Sequence, residues 1–246
     1  MSSIKKFLVI ADTLNIAEAK HYLDNVKIIE KQKVVIDKYI NTRFQEALQE
    51  KYKYITDEFL DKMIEYDGVI TGSAVIQILL NEDYGKNSDI DILFLFDDSC
   101  RPYSFPGFSR FLERNTYRYF TRIYEGFEVY DGIKNNVSVK NKKKQKINDK
   151  DKYKYQVIMV RSHMCEPFQI NTGLRSNQKI ENYILKHFDF DICTIMYDGD
   201  KLIFPDKTLE HLIKREIHVN FNKDNIDHKR HSDRISKYKS RNFVID

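Results

Sequence analysis

The chain has 246 residues, which is enough for one large domain or two small ones with a packed core. A hydrophobic content of 41% and a net charge of +4, with no apolar run near the about eighteen residues of a membrane span, exclude a membrane protein. Three cysteines at wide spacing indicate reduced thiols, which excludes a disulfide framework or a structural zinc site.

The first 64 residues are predicted to form a helical extension. Residues 4–11 are a short apolar run of uncertain type, too short for a secretion signal, so we expect a cytoplasmic protein without a membrane partner. Residues 16–63 contain neither glycine nor proline. Their apolar residues recur at helical spacing, which predicts one or two long amphipathic helices. These residues are Val34, Val35, Tyr39, Ile40, Phe44 and Leu48.

Residues 67–96 contain the residues that most clearly indicate a functional site. A short apolar strand at 69–71 leads into Gly72 and Ser73, and an apolar helical run follows at 74–80. Free backbone N–H groups and the helix dipole at the start of a helix favour a phosphate group. The Gly-Ser pair is therefore a candidate phosphate cradle.

A second strand is predicted to begin at Ser88. Its period-two alternation places Asp89 and Asp91 on one face and apolar side chains on the other. Two neighbouring carboxylates repel each other, and a hard divalent cation such as Mg²⁺ is the usual remedy. Metal ligands beside a phosphate cradle indicate nucleotidyl transfer.

Gly72-Ser73 followed by Asp89-Ile90-Asp91 resembles the signature of the DNA polymerase beta-like nucleotidyltransferase superfamily. The sequence ITGSAVIQILL…NSDIDI is similar to sequences of uncharacterised nucleotidyltransferase-like proteins of large DNA viruses and fungi. The resemblance implies an α/β nucleotidyltransferase fold, with a short mixed sheet flanked by helices. It also implies transfer of a nucleoside monophosphate from a nucleoside triphosphate such as ATP to an acceptor hydroxyl, with release of pyrophosphate. For a viral member, the location would be the host cytoplasm.

The region after the motif is predicted from local composition. Two prolines make residues 97–107 a loop, and residues 111–124 are predicted to return to helix. A strand is expected to begin within 126–129, and residues 155–161 have clear strand composition.

The resemblance also implies a third carboxylate on a neighbouring strand. A helix is predicted to precede Phe188, residues 188–197 have strand composition, and residues 198–200 give a hairpin signal. The family's aspartate maps onto Asp189. Asp191 shares the same predicted face and is the alternative, because sequence does not determine the register.

The resemblance thus implies a site in which three carboxylates hold Mg²⁺ or Mn²⁺ and act in catalysis, while the Gly-Ser pair holds the terminal phosphates. The carboxylates are Asp89, Asp91 and Asp189, and the phosphate ligands are Gly72 and Ser73.

Positive charge is concentrated in two segments. Residues 140–154 hold eight lysines and two aspartates, and residues 211–241 hold nine Lys or Arg against four acidic residues. The rest of the chain is net acidic, so the two segments could form a track for RNA or DNA, with Lys142, Lys143 and Lys144 as candidate contacts. The alternative is that residues 140–154 are a solvated surface loop.

These patterns predict a helical extension at 1–64, a nucleotidyltransferase core at 65–210 and a basic helical segment at 211–246. His228 and His231 lie three residues apart on the predicted tail helix, and we expect both on the surface. The alternative function is a non-catalytic nucleotide- or RNA-binding module that keeps the fold. A third is an interaction protein that uses its long helices.

Overall fold

The computed structural model describes residues 3–26, 30–53, 55–84, 90–96, 117–124, 127–135, 152–161, 181–182, 184–186, 188–220 and 228–246. Its helices are α1 (Ser3–Thr13), α2 (Ile16–Asn25), α3 (Glu30–Lys51), α4 (Asp57–Glu65), α5 (Ser73–Leu79), α6 (Thr208–Lys214) and α7 (His228–Lys239). Its strands are β1 (Val69–Thr71), β2 (Ile90–Phe96), β3 (Tyr117–Tyr124), β4 (Phe127–Asn135), β5 (Lys152–Arg161), β6 (Met196–Tyr197), β7 (Leu202–Ile203), β8 (Glu216–Ile217) and β9 (Val244–Ile245).

Within these residues, strands β1 to β7 form one mixed sheet in the order β3-β4-β5-β2-β1-β6-β7. Strands β2 and β5 run parallel, and the other neighbours in the sheet run antiparallel. Strands β8 and β9 form a separate parallel pair. The predicted combination of a mixed sheet with helices is confirmed, and the chain is a mixed α/β protein.

The N-terminal region forms more helices than its apolar spacing predicts. Residues 16–63 contain α2, α3 and most of α4 instead of one or two long helices. A capping box starts α2, because the Asn15 side chain accepts the Glu18 N–H while Glu18 accepts the Asn15 N–H. Thr56 caps α4 by accepting the N–H of Phe59. The Asn15 cap thus marks the start of the helical pattern, and the Thr56 cap separates α4 from α3.

Two predicted elements are wrong. Residues 117–124, predicted as helix, form β3 and pair along their whole length with β4. Tyr, Phe, Thr and Ile favour strand once a partner is available, and here tertiary pairing overrides the helical pattern. The predicted strand at 188–197 is instead a 3-10 turn at Asp191–Thr194, with only residues 196–197 in β6.

The physical reason for the 3-10 turn is local hydrogen bonding. The Asp191 carboxylate accepts the N–H of Ile192, and the Thr194 hydroxyl donates to the Asp191 carbonyl. The hairpin predicted after it is confirmed, since β6 and β7 pair antiparallel around Gly199, whose φ is +99°.

A continuous hydrophobic core joins the N-terminal helices, the sheet and the C-terminal region. Phe44 of α3 packs on Tyr197 of β6 with ring centroids 4.9 Å apart. At the other end, Tyr238 of α7 contacts Phe190 edge-on at 5.3 Å. The proposed boundaries near residues 64 and 210 therefore fall within one packed core and stay predictions. Among the helices that the structure describes, none is long and apolar enough to span a bilayer.

Candidate functional site

The predicted glycine turn and strand aspartate meet at one point. Strands β1 and β2 pair so that Thr71 lies opposite Asp91. Gly72 follows with φ +75° and ψ −151°, and a Cβ atom at this position would lie 2.8 Å from Oδ2 of Asp91. A backbone of this shape is essentially restricted to glycine. The absence of a side chain therefore allows the turn to approach the carboxylate closely.

Thr71 also forms hydrogen bonds that connect this turn to the segment after Asp189. Its hydroxyl is 2.8 Å from the Cys193 carbonyl oxygen and 2.9 Å from that of Ile195. Thr71 itself pairs with Met196 on the side of β1 away from β2. The 3-10 turn consequently packs beside the end of β1, next to Gly72.

Asp189 is held by α7. Its Oδ1 is 2.6 Å from a guanidinium nitrogen of Arg234, and its Oδ2 is 3.1 Å from Nδ1 of His231. The side chains of Asp189 and His231 are 16% and 13% exposed. The expectation that His231 lies on the surface is therefore wrong, because the carboxylate and the ring of Phe190 enclose its imidazole.

Arg234 connects the two acidic parts of the site. Its guanidinium lies 5.1 Å from the Phe190 ring centroid and 3.6 Å from the Cys193 sulfur. Burial lowers the pKa of Arg234, but the surrounding acidic groups, Asp189 and Asp91 among them, raise it, and the net shift is upward. One guanidinium is thus within electrostatic range of both aspartates.

Lys237, one turn further along α7, also lies in the field of Asp91. Partial burial lowers the pKa of Lys237, whose side chain still reaches solvent, and the neighbouring Arg241 and Arg234 guanidinium groups lower it further, while Asp91 opposes them. The net shift of the pKa of Lys237 is therefore downward, with burial as its largest cause.

Both carboxylate oxygens of Asp191 contact groups of the protein that stabilise the local fold. One carboxylate oxygen accepts the N–H groups of Ile192 and His218, at 2.8 and 3.0 Å. The other lies 2.5 Å from Nδ1 of His211. Asp191 is 8% exposed, and these contacts hold the turn against the loop at 218. The carboxylate of the alternative third ligand is thus engaged by protein donors on both oxygens.

Gly72, Ser73 and Asp91 lie at the same end of β1 and β2, and the turn that follows Asp189 hydrogen-bonds to Thr71 at that end. Asp89, Lys142, Lys143 and Lys144 lie outside the described residues. Among the described residues, no three His, Cys, Asp or Glu side chains are grouped closely enough to hold a metal ion.

Sequence reasoning missed three members of this region: His231, Arg234 and Lys237. Arg234 belongs to the helical spacing of the tail, but that spacing carries no signal of contact with Asp189. The pairing joins residues 42 positions apart for His231 and follows from packing alone.

Comparison with protein families overturns the predicted resemblance. The model described as "Gad2: Gabija anti-defense 2 family protein" matches residues 30–215, about three quarters of the chain. The match is not to a DNA polymerase beta-like nucleotidyltransferase family, so that prediction was wrong. A comparison with curated proteins gives no match. The matched range includes Gly72, Asp91 and Asp189 and ends before α7.

Proposed function

We propose that the chain, which belongs to the Gabija anti-defense 2 family, counteracts the defence for which the family is named. We further propose that it does so by moving a nucleoside monophosphate from a nucleoside triphosphate to an acceptor hydroxyl. The chemical part of the proposal rests on the residues of the site and not on the family.

The observation that carries this proposal is the approach of Gly72 to Asp91. A glycine-only turn leads into α5 and places the start of that helix beside an acidic strand, with a carboxylate 2.8 Å from where a Cβ would lie. The unit of β1, turn, α5 and β2 also supports a nucleotidyltransferase fold as part of the proposal. Hydrogen-bond donors at Gly72 and Ser73 would hold the terminal phosphates.

Asp91 fits a role in holding Mg²⁺ or Mn²⁺, because it is only half-buried and its oxygens are hard ligands. Asp89 would be its partner. When bound, the ion supplies charge neutralisation at the phosphates and a lower pKa for the attacking hydroxyl. Asp189 is the proposed third carboxylate, and ligation by it would require exchange of its contacts with Arg234 or His231.

Transfer is tested with triphosphates labelled at the α-phosphate, each of the four ribonucleotides in turn, with RNA, DNA and protein as acceptors. Mg²⁺ and Mn²⁺ are supplied separately. We expect label on one acceptor class with wild type and none with Asp91→Asn. Asp206→Asn, an exposed aspartate before α6, is the matched control and should transfer normally.

The anti-defence part is tested in cells that carry Gabija. Wild-type protein should restore phage plating, and Asp91→Asn should fail while accumulating to the same level. Plating that remains restricted with wild-type protein would refute the anti-defence role for this chain.

A second candidate is a non-catalytic nucleotide- or RNA-binding module. The observation that favours it is the contact of the two Asp189 oxygens with Arg234 and His231, which suits a structural carboxylate. Under this alternative, wild type binds nucleotide or RNA without transfer under any condition, and Asp91→Asn still restores plating.

A further inference from the structure

Three cationic side chains of the C-terminal segment lie together beside the candidate site. Arg234 and Lys237 are three residues apart on α7, so they occupy one face of the helix. Arg241 follows the helix, and its guanidinium lies 5.4 Å from the ring of Tyr238 and 3.7 Å from that of Tyr84. We call Arg234, Lys237 and Arg241 the α7 cationic face.

The charge of this face is only partly neutralised. Asp189 pairs with Arg234. Within the described part of the chain, neither Lys237 nor Arg241 has an acidic partner within ion-pair distance, and one guanidinium nitrogen of Arg241 is buried without a hydrogen-bond partner. Glu82, the nearby carboxylate, is engaged by Arg215 through two contacts.

The charged groups that surround Lys237 are also predominantly positive. Arg234 and Arg241 repel its ammonium, and Asp91 attracts it. An unpaired cation held near like charges is stabilised by an anion from solution. Lys237 is exposed, so such an anion can reach it.

The α7 cationic face borders the glycine turn, because Arg234 lies 3.6 Å from the Cys193 sulfur, and the Cys193 carbonyl accepts a hydrogen bond from Thr71, which lies opposite Asp91. We propose that Lys237 and Arg241, with Arg234 beside them, join Gly72 and Ser73 in binding the polyphosphate chain of a nucleoside triphosphate whose reacting phosphate lies at Asp91. This inference rests on the proposed function and adds a subsite formed by α7 and the residues after it, which lie outside the range matched by the family model.

The dimensions favour a triphosphate over a nucleic-acid backbone. Residues seven positions apart near a helix span about 10 Å along its axis, which suits a short polyanion. A nucleic-acid track needs positive charge spread over a longer surface. The stacking of Tyr84 on Arg241 also occupies the aromatic face that a base would use.

Calorimetry of the full chain with inorganic tripolyphosphate and with ATP, in EDTA at low salt, tests this subsite. We expect Lys237→Ala to weaken binding of both about tenfold, the size of one charge-assisted contact. Lys239→Ala is the matched control, since Lys239 is equally exposed on the same helix but about 200° away around the axis. It should change binding less than about twofold.

The direction in which a third variant changes the affinity for tripolyphosphate is also predicted. Asp91→Asn removes a negative charge that faces the subsite, so tripolyphosphate should bind more tightly in EDTA. No binding by wild type, or equal losses in Lys237→Ala and Lys239→Ala, would overturn the subsite. So would a loss at Lys237 that affects single-stranded RNA but not tripolyphosphate.

The same variants separate the subsite from the proposed reaction. Lys237-dependent binding without any transfer would contradict the proposed reaction and support the subsite. Transfer whose KM for the triphosphate is unchanged in Lys237→Ala would support the reaction and contradict the subsite.

Discussion

Gly72 allows the turn to lie close to Asp91, and its backbone has a positive φ that L-residues rarely adopt. We predict that Gly72→Ala lowers the free energy of unfolding by about 1–3 kcal/mol, because the backbone strain adds to contact between the new methyl group and Asp91. Urea denaturation measures the loss. Ser73→Ala is the control, and it should cost less in both stability and transfer because the backbone N–H groups remain. Equal losses in the two variants would contradict the role of the glycine turn.

Two opposing effects bear on the stability of the fold when Asp91 is removed. From sequence, removing one of two adjacent carboxylates should relieve repulsion and raise stability in the absence of metal. Arg234 and Lys237 lie within its field, so its removal also takes away their counter-charge. We predict that Asp91→Asn lowers metal-free stability by less than about 1 kcal/mol, and less at high salt than at low. Urea titrations at two salt concentrations test this, and a gain in stability would show that repulsion from Asp89 dominates.

At the scale of elements, α7 is joined to the segment before the 3-10 turn by one ion pair and by aromatic packing. Phe190 contacts Tyr238 and His231, and Asp189 contacts Arg234. This arrangement places a C-terminal helix against the acidic end of β2. The proposed site therefore depends on an element that lies beyond the range of the family match.

A double-mutant cycle between Asp189→Asn and Arg234→Met measures that attachment. We predict a coupling energy of about 1–2 kcal/mol, because the pair is mostly buried and each single change leaves the other charge without its partner. The exposed Glu210–Lys214 pair on α6 is the control and should couple by less than about 0.5 kcal/mol. Equal coupling in both cycles would mean that Asp189 and Arg234 are solvated in solution.

Glu82 and Arg215 join the segment after α5 to the start of β8, and this contact predicts a dependence on pH. The hydrogen bond from Arg215 lowers the pKa of Glu82 below its usual value. A carboxyl with a depressed pKa in the folded state stabilises the fold above its unfolded pKa, and this stabilisation is lost as pH falls through the folded pKa. Stability should therefore decline below about pH 4.5, and Glu82→Gln should flatten the decline. Parallel denaturation curves from pH 6 to pH 3 check this, and identical slopes in both proteins would contradict it.

At the scale of the whole molecule, positive charge is collected in two segments on an acidic remainder. Lysines 142, 143 and 144 lie outside the described residues, and their contact with nucleic acid stays a prediction. If RNA or DNA is the acceptor, replacing the three by Glu should weaken binding and flatten its salt dependence, with little change in melting temperature. Binding measured between 50 and 300 mM salt decides this. Unchanged affinity in a protein that binds nucleic acid would remove the segment from the track.

Local patterns predicted much of the fold. The β1 strand, the turn at Gly72, helix α5 and the strand that carries Asp91 follow from period-two alternation and helical spacing. The β6–β7 hairpin follows from Asp198-Gly199-Asp200 in the same way. The strand at 117–124 was missed because its pairing with β4 outweighs its helical pattern. Family membership also lay beyond the motif, since a short signature of glycine and aspartates is compatible with more than one family.

The sequence by itself determined the glycine turn beside an acidic strand, because these features depend on backbone preferences and side-chain alternation over a few residues. Only the tertiary structure decided which groups face each aspartate. Asp189 meets His231 and Arg234 because Phe190 packs against α7, and Asp191 meets His211 and His218 because its turn closes against the loop after β8. Such contacts join residues tens of positions apart, and the free energy that brings them together comes from burial of the shared core.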